Sequence, residues 1–141
     1  MNKNIAVIIL AAGKSVRMKS GIPKVLHPIC GRPCLSYVLD LVYVLKIKKA
    51  IDVLGHKHQD VKKLLKPGIK VVIQKRFAGT ADAVKEAMPL LRNFKGTVLV
   101  LYADNPLLKK ETIKKLLEHH LKNNLDATLL TAKMDKPSGY G

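Results

Sequence analysis

The chain alternates between two hydrophobic rhythms. Ile5 to Ala11 is an unbroken aliphatic run, the pattern of a parallel strand covered on both faces. Pro33 suits the first turn of a helix, and Leu35, Val38, Leu39 and Val42 then recur at i, i+3, i+4 and i+7. Ile51–Leu54 predicts a short strand, and Asp60–Leu65 a short helix stopped by Pro67 and Gly68. A third strand is expected over Val71–Ile73. A third helix is expected over Thr80–Met88, with Ala81, Val84 and Met88 on one side. Val98–Tyr102 is again uninterrupted apolar strand. Ile113, Leu116, Leu117 and Leu121 mark a fourth helix, and Ala127–Ala132 reads as a fifth strand.

Strand and helix alternate throughout, which predicts an α/β fold: a Rossmann-like, open, mostly parallel sheet with helices on both faces. Ligands of such sheets bind outside the carboxyl ends of the strands. The segments after Ala11, Ile73 and Tyr102 are therefore the ones to search for chemistry. A length of 141 residues suits one domain, and no repeat, low-complexity tract or linker divides it.

Composition changes this picture little, except in charge. Apolar residues make up 48% and charged residues 26%, ordinary values for a globular protein, and 4% aromatics make the core aliphatic. The longest apolar run falls far short of the about 20 residues of a membrane span, and no cleavage site follows it, so a cytoplasmic protein without a membrane partner is expected. The net charge is +16. Arg17, Arg32, Arg76 and Arg92 are the only arginines among 26 basic residues, and the lysines are scattered, so the charge reads as a solvated surface favouring anionic ligands rather than a nucleic-acid groove. Cys30 and Cys34 lie near His27, but no fourth ligand completes a zinc site, and both read as reduced thiols at a helix start.

The first loop runs Leu10-Ala11-Ala12-Gly13-Lys14-Ser15-Val16-Arg17-Met18, then Pro23-Lys24-Val25-Leu26-His27. Small residues straight after a buried strand let backbone N–H groups approach phosphates or base edges. Arg17 and Lys24 would bring two cations to one triphosphate, and a plain surface loop is the alternative. Gly13-Lys14-Ser15 is not a P-loop, because Ile8 stands where that motif needs glycine, and no G-x-G-x-x-G is present. The second loop holds Gln74 and then Gly79-Thr80, a helix start with free N–H groups, where Thr80 could equally be a plain cap. The third reads Tyr102-Ala103-Asp104-Asn105-Pro106-Leu107. A carboxylate there can hold Mg²⁺ against phosphates, or can simply cap the next helix.

Together, and in this order, these loops resemble the nucleotidyltransferase domain of the bacterial N-acetylglucosamine-1-phosphate uridylyltransferase family. That family's Leu-Ala-Ala-Gly-x-Gly-Thr-Arg-Met and Pro-Lys-Val-Leu-His fall on Leu10–Met18 and Pro23–His27. Its Gln before Gly-Thr falls on Gln74, Gly79 and Thr80, its Tyr-Gly-Asp-x-Pro-Leu on Tyr102–Leu107, and its Pro-x-Gly-Tyr-Gly on Pro137–Gly141. The resemblance implies that Leu10, Ala11, Ala12 and Gly13, with Gln74, Gly79 and Thr80, surround uracil and nucleotide. It further implies that Arg17 and Lys24 hold phosphates, that Tyr102, Ala103 and Asp104 belong to the nucleotide- and substrate-binding set with Asp104 binding Mg²⁺, and that Gly141 lies near the sugar. The implied reaction is attack of a sugar 1-phosphate oxygen on the α-phosphorus of UTP, with loss of pyrophosphate. Positioning and charge neutralisation would carry it. His56, His58, His119 and His120 match no motif and read as surface or structural residues.

Ser15 and Val16 stand where the family has glycine and threonine, and Ala103 replaces a glycine. The resemblance also implies a domain spanning 1–141 that is incomplete at its carboxyl end, lacking the asparagine that completes the metal site and much of the sugar site. A non-catalytic nucleotide-binding remnant, or half of a split enzyme, is thus the alternative to a working transferase. A homo-oligomer or a complementing carboxyl-terminal chain is the partner expected beyond the small substrates.

Overall fold

The computed structural model describes residues 4–13, 18–55, 58–76 and 78–135. Two compact units emerge, Met1–Leu108 and Lys109–Gly141. In the first, β1 (Ile5–Ala11), β4 (Lys49–Leu54), β5 (Lys70–Ile73) and β6 (Thr97–Tyr102) form one sheet in the order β5-β4-β1-β6, and every pairing is parallel. The helices α1 (Cys34–Val44), α2 (His58–Lys62) and α3 (Thr80–Ala87) supply the crossovers. The first two carry the chain outward from β1, and the third brings it back across β1 to β6. Right-handed crossovers then put α1 and α2 on one face and α3 on the other. The direction of winding reverses between β1 and β6, so the ligand crevice of such a sheet opens at their carboxyl ends.

Register explains why β1 is apolar at every position. Ala6 and Ile8 face α3 and cluster with Ala12, Ile51, Val53, Ala83, Ala87 and Leu91. Val7, Ile9 and Ala11 point to the opposite face beside Ala50 and Leu54, also buried. A strand with no wet face needs no polar alternation. α1 likewise buries Leu35, Val38, Leu39, Leu41 and Val42 as one stripe. α3 runs on through a 3-10 turn at Met88–Leu91, where Pro89 lacks the N–H that a continuing α-helix would use.

Between β1 and α1 the chain makes a 3-10 turn, Lys24–Leu26, and a small antiparallel hairpin of β2 (Pro28–Ile29) and β3 (Arg32–Pro33). The hairpin turns on Cys30 and Gly31, both at positive φ, the backbone that suits a tight two-residue turn. Nothing in the periodicity announced this hairpin. Pro33 sits at the N-cap of α1, one residue before its first turn.

In the second unit, α4 (Lys110–Lys122) buries Ile113 and Leu117. The strand expected over Ala127–Ala132 is absent, since these residues adopt no regular structure and Leu129 and Leu130 are exposed. Strand propensity is realised only against a neighbouring strand and a covered face, and this segment belongs to no sheet among the described residues. No helix among the described residues is long and apolar enough to cross a membrane.

Candidate functional site

The carboxyl ends of the four strands meet on one rim. The loop after β1 begins at Ala12, buried in the α3 core. Gly55, directly after β4, passes so close to it that a Cβ there would overlap the Ala12 carbonyl oxygen. Glycine at 55 is thus the condition for the first loop's path. Gln74 N–H donates to the Leu54 carbonyl at 2.8 Å, tying the end of β5 to β4. On the other side Ala103 N–H donates to the Leu10 carbonyl at 3.1 Å, extending the β1–β6 ladder by one rung. Leu10 and Tyr102 are register partners.

This rung aims Asp104. It lies in a turn closed by Asn105 N–H to the Tyr102 carbonyl at 3.3 Å. Lys24, eighty residues earlier in the chain, places its Nζ 2.7 Å from Asp104 Oδ2. Both side chains stay accessible, at 46% and 33%. Such a half-exposed pair contributes about 0–1 kcal/mol to stability. What it shows is position: a cation from the first loop and a carboxylate from the third share the crevice where the winding reverses. Asp104 is not the cap of α4, a place taken by Lys109.

Cys34 supports this turn from below. Its thiol is buried in the first turn of α1, with Sγ 3.5 Å from the Ala103 carbonyl oxygen. Burial pushes the Cys34 thiol up, and the Asp104 charge pushes it the same way, with Lys24 opposing. Both cysteines are free, and Cys34 is a neutral packing group rather than a nucleophile. Ala103 itself is fully buried.

The second loop closes the rim from the α3 side. Gly79 is the N-cap of α3 at φ 118, a conformation that favours glycine. Thr80 is the first helical residue, its side chain makes no cap bond, and its Oγ1 lies 3.5 Å from the Tyr102 hydroxyl. Gln74 is buried, and its carboxamide Nε2 donates to Asp82 Oδ2 at 3.1 Å and reaches the Gly79 carbonyl at 3.5 Å. Gln74 thus braces the loop that presents Gly79 and Thr80. Asp82 and Cys34 were not found by sequence reasoning, because their partners lie across a loop or a fold crossover with no local signal. At Gly13 a Cβ would meet nothing within 4 Å among the described residues. Arg17 and Gly141, together with Ser15 and Val16, lie outside the described residues.

Asp104 is a carboxylate on this rim that could hold a divalent cation. Its carboxylate is partly open, its only bond among the described residues is the one from Lys24, and an ammonium already rests against Oδ2. No group of three or more His, Cys, Asp or Glu that could hold a metal occurs among the described residues. A cation at Asp104 would take its remaining oxygens from phosphates and water, the usual manner of Mg²⁺.

A parallel sheet in this strand order, with small-residue loops, a lysine and a carboxylate at the reversal of winding, is a doubly wound α/β domain whose ligand crevice lies at these strand ends. The family model of the MobA-like NTP transferase domain matches residues 7–138, and the chain belongs to that family. It is 45% identical over 141 residues to the bifunctional protein GlmU of Bacillus velezensis, covering 100% of this chain and 31% of that protein. With the GlmU protein of Shouchella clausii the identity is 47% over 134 residues, covering 95% and 30%. These relatives agree with the resemblance read from the motifs, and the chain spans about a third of their length. Among solved structures, Rv0371c from Mycobacterium tuberculosis H37Rv superposes with a TM-score of 0.70 at 23% identity, covering 84% of this chain and 60% of that one. A nucleotidyl transferase from Methanothermobacter gives 0.66 at 20%, covering 84% and 58%. At such identities these two establish the fold.

Proposed function

We propose that this chain carries the nucleotide- and metal-handling half of a sugar-phosphate nucleotidyltransferase, transferring uridylyl from UTP to N-acetylglucosamine 1-phosphate to give UDP-N-acetylglucosamine and pyrophosphate. The observation that carries this reading is the Lys24–Asp104 pair at 2.7 Å, which brings the first and third loops into one crevice. Leu10, Ala11, Ala12 and Gly13 would border the nucleotide, with Gln74 bracing Gly79 and Thr80 beside the base. Lys24, joined by Arg17, would neutralise phosphate oxygens, and Tyr102 and Ala103 hold Asp104 at the strand end. Asp104 would hold Mg²⁺, which supplies charge neutralisation on the phosphates when bound. Gly141 would border the sugar. The chain's contribution is orientation and fixed charge, and no side-chain nucleophile is required.

A relative's structure in complex with manganese, that of the mycobacterial Rv0371c, supports a divalent cation in this fold. The second reading is binding without turnover. It is favoured by the absence, among the described residues, of any group of three or more His, Cys, Asp or Glu that could hold a metal. Thermal denaturation with Mg²⁺ and nucleoside triphosphates tests the shared core of both readings. UTP should raise Tm more than ATP, because a ligand that binds only the folded state stabilises it by mass action. Equal shifts for every triphosphate would reduce the effect to charge attraction and remove the uracil assignment. Pyrophosphate release then separates transferase from binder.

A further inference from the structure

Gln74 follows β5 and lies buried against the first turn of α3, which carries Asp82. Two acceptors meet its Nε2, the Asp82 carboxylate at 3.1 Å and the Gly79 carbonyl at 3.5 Å. A carboxylate and a carbonyl only accept, so the nitrogen of the planar amide must face them, and turning it over would set oxygen against oxygen. The bond to Asp82 is charge-assisted and the shorter of the two, whereas 3.5 Å to Gly79 is the outer limit of a hydrogen bond. Asp82 therefore sets the orientation of the Gln74 amide.

This orientation turns Oε1 away from Asp82. No donor reaches that oxygen among the described residues. The buried side-chain polar atoms left unpaired there are His27 Nε2 and the two carboxyl oxygens of Asp52, so Gln74 Oε1 is an accessible acceptor. Its surroundings are the rim. Thr80 Oγ1 lies 3.5 Å from the Tyr102 hydroxyl at the end of β6, so the start of α3 stands over the strand ends, and Gln74 meets it from the β5 side.

A fixed acceptor distinguishes bases by their edges. Uracil carries an N–H at ring position 3 and donates it, whereas cytosine has a bare nitrogen there, whose lone pair would face that of Oε1. UTP and CTP are otherwise close in shape and equal in charge. We propose that Asp82 is a positioning residue for base selection: by holding Gln74 Nε2 it presents Oε1 to the base and favours a pyrimidine that donates at position 3 over one that accepts there. The inference rests on the uridylyl reading above and extends it to a residue that acts through Gln74 rather than on the ligand. Without Asp82 the amide turns over at little cost, and Nε2 then serves cytosine as well as Oε1 serves uracil. The loss of one negative charge acts on every triphosphate alike and cancels in a ratio of affinities.

Titration calorimetry on the 141-residue chain with Mg²⁺ and UTP, CTP or inorganic triphosphate tests this. The parent should prefer UTP to CTP, and Asp82→Ala, which keeps a good helix former in α3, should reduce that preference by roughly 10-fold or more. Asp82→Asn should keep most of the preference, because its carbonyl oxygen still accepts from Gln74 Nε2. An unchanged preference in Asp82→Ala overturns the inference and leaves the uridylyl reading standing. So does a loss shared equally by UTP, CTP and inorganic triphosphate, the mark of a merely structural role, and so does an Asn variant that loses as much selectivity as the Ala variant. A parent that binds UTP and CTP equally removes the uridylyl reading, and this inference with it.

Discussion

Asp52 offers a stringent test of the fold. It sits in the middle of β4 between Ile9 and Val71, fully buried, and neither carboxyl oxygen has a hydrogen-bond partner among the described residues. Burial alone raises its pKa to about 7, from 3.8 in an open chain. The folded protein therefore holds this proton while the unfolded chain loses it between pH 4 and 7. The state that binds more protons is favoured at low pH, so stability must fall as pH rises through that window and level off above about 7. A shift of about three units corresponds to a loss of about 4 kcal/mol, at about 1.36 kcal/mol per unit. Asp52→Asn removes the titration and keeps the shape. Urea unfolding followed by circular dichroism at pH 5, 6, 7 and 8 should show the difference between variant and parent growing by a few kcal/mol in the variant's favour, the other titrations cancelling between the two. Asp52→Val also removes the unpaired polar atoms and should be the more stable protein even at pH 5, by roughly 1–3 kcal/mol. If the difference between Asp52→Asn and the parent is the same at every pH, the carboxyl is not a buried neutral acid and this account of β4 is wrong.

The remaining expectations concern the rim. Lys24→Ala and Arg17→Ala should each weaken Mg²⁺-triphosphate binding by about 1.5–3 kcal/mol in titration calorimetry, the worth of a charge-assisted contact, while Lys122→Ala on exposed α4 should bind like the parent. Gly55→Ala puts a methyl into the Ala12 carbonyl, so it should lower both Tm and triphosphate affinity. The isolated chain should release little pyrophosphate from UTP and N-acetylglucosamine 1-phosphate, since modest misplacement of reacting groups costs on the order of 100-fold. A fusion in which the remainder of the Bacillus velezensis relative follows Gly141 should release it readily, and Asp104→Ala should abolish that gain. Robust release by the 141-residue chain, dependent on both substrates and on Asp104, would instead show a complete enzyme.

What the sequence by itself determined were the elements whose cause is local. The unbroken run of Ile5–Ala11 and the i, i+3, i+4 spacing of Leu35, Val38 and Leu39 each state a period, and a period is a property of neighbours along the chain. The three loops that carry chemistry were legible for the same reason, because each follows a strand whose end is marked by Gly, Gln or Asp. Contacts between distant segments were decided by the tertiary structure alone. No spacing reveals that Lys24 meets Asp104, that Asp82 holds Gln74, or that Gly55 must be bare so that Ala12 can pass. Ile51–Leu54 read only as a short strand, and the two-sided cover of the sheet is what made Asp52 within it a buried acid. Conversely, Ala127–Ala132 has strand composition without a strand, because an apolar segment becomes one only where another backbone accepts its hydrogen bonds.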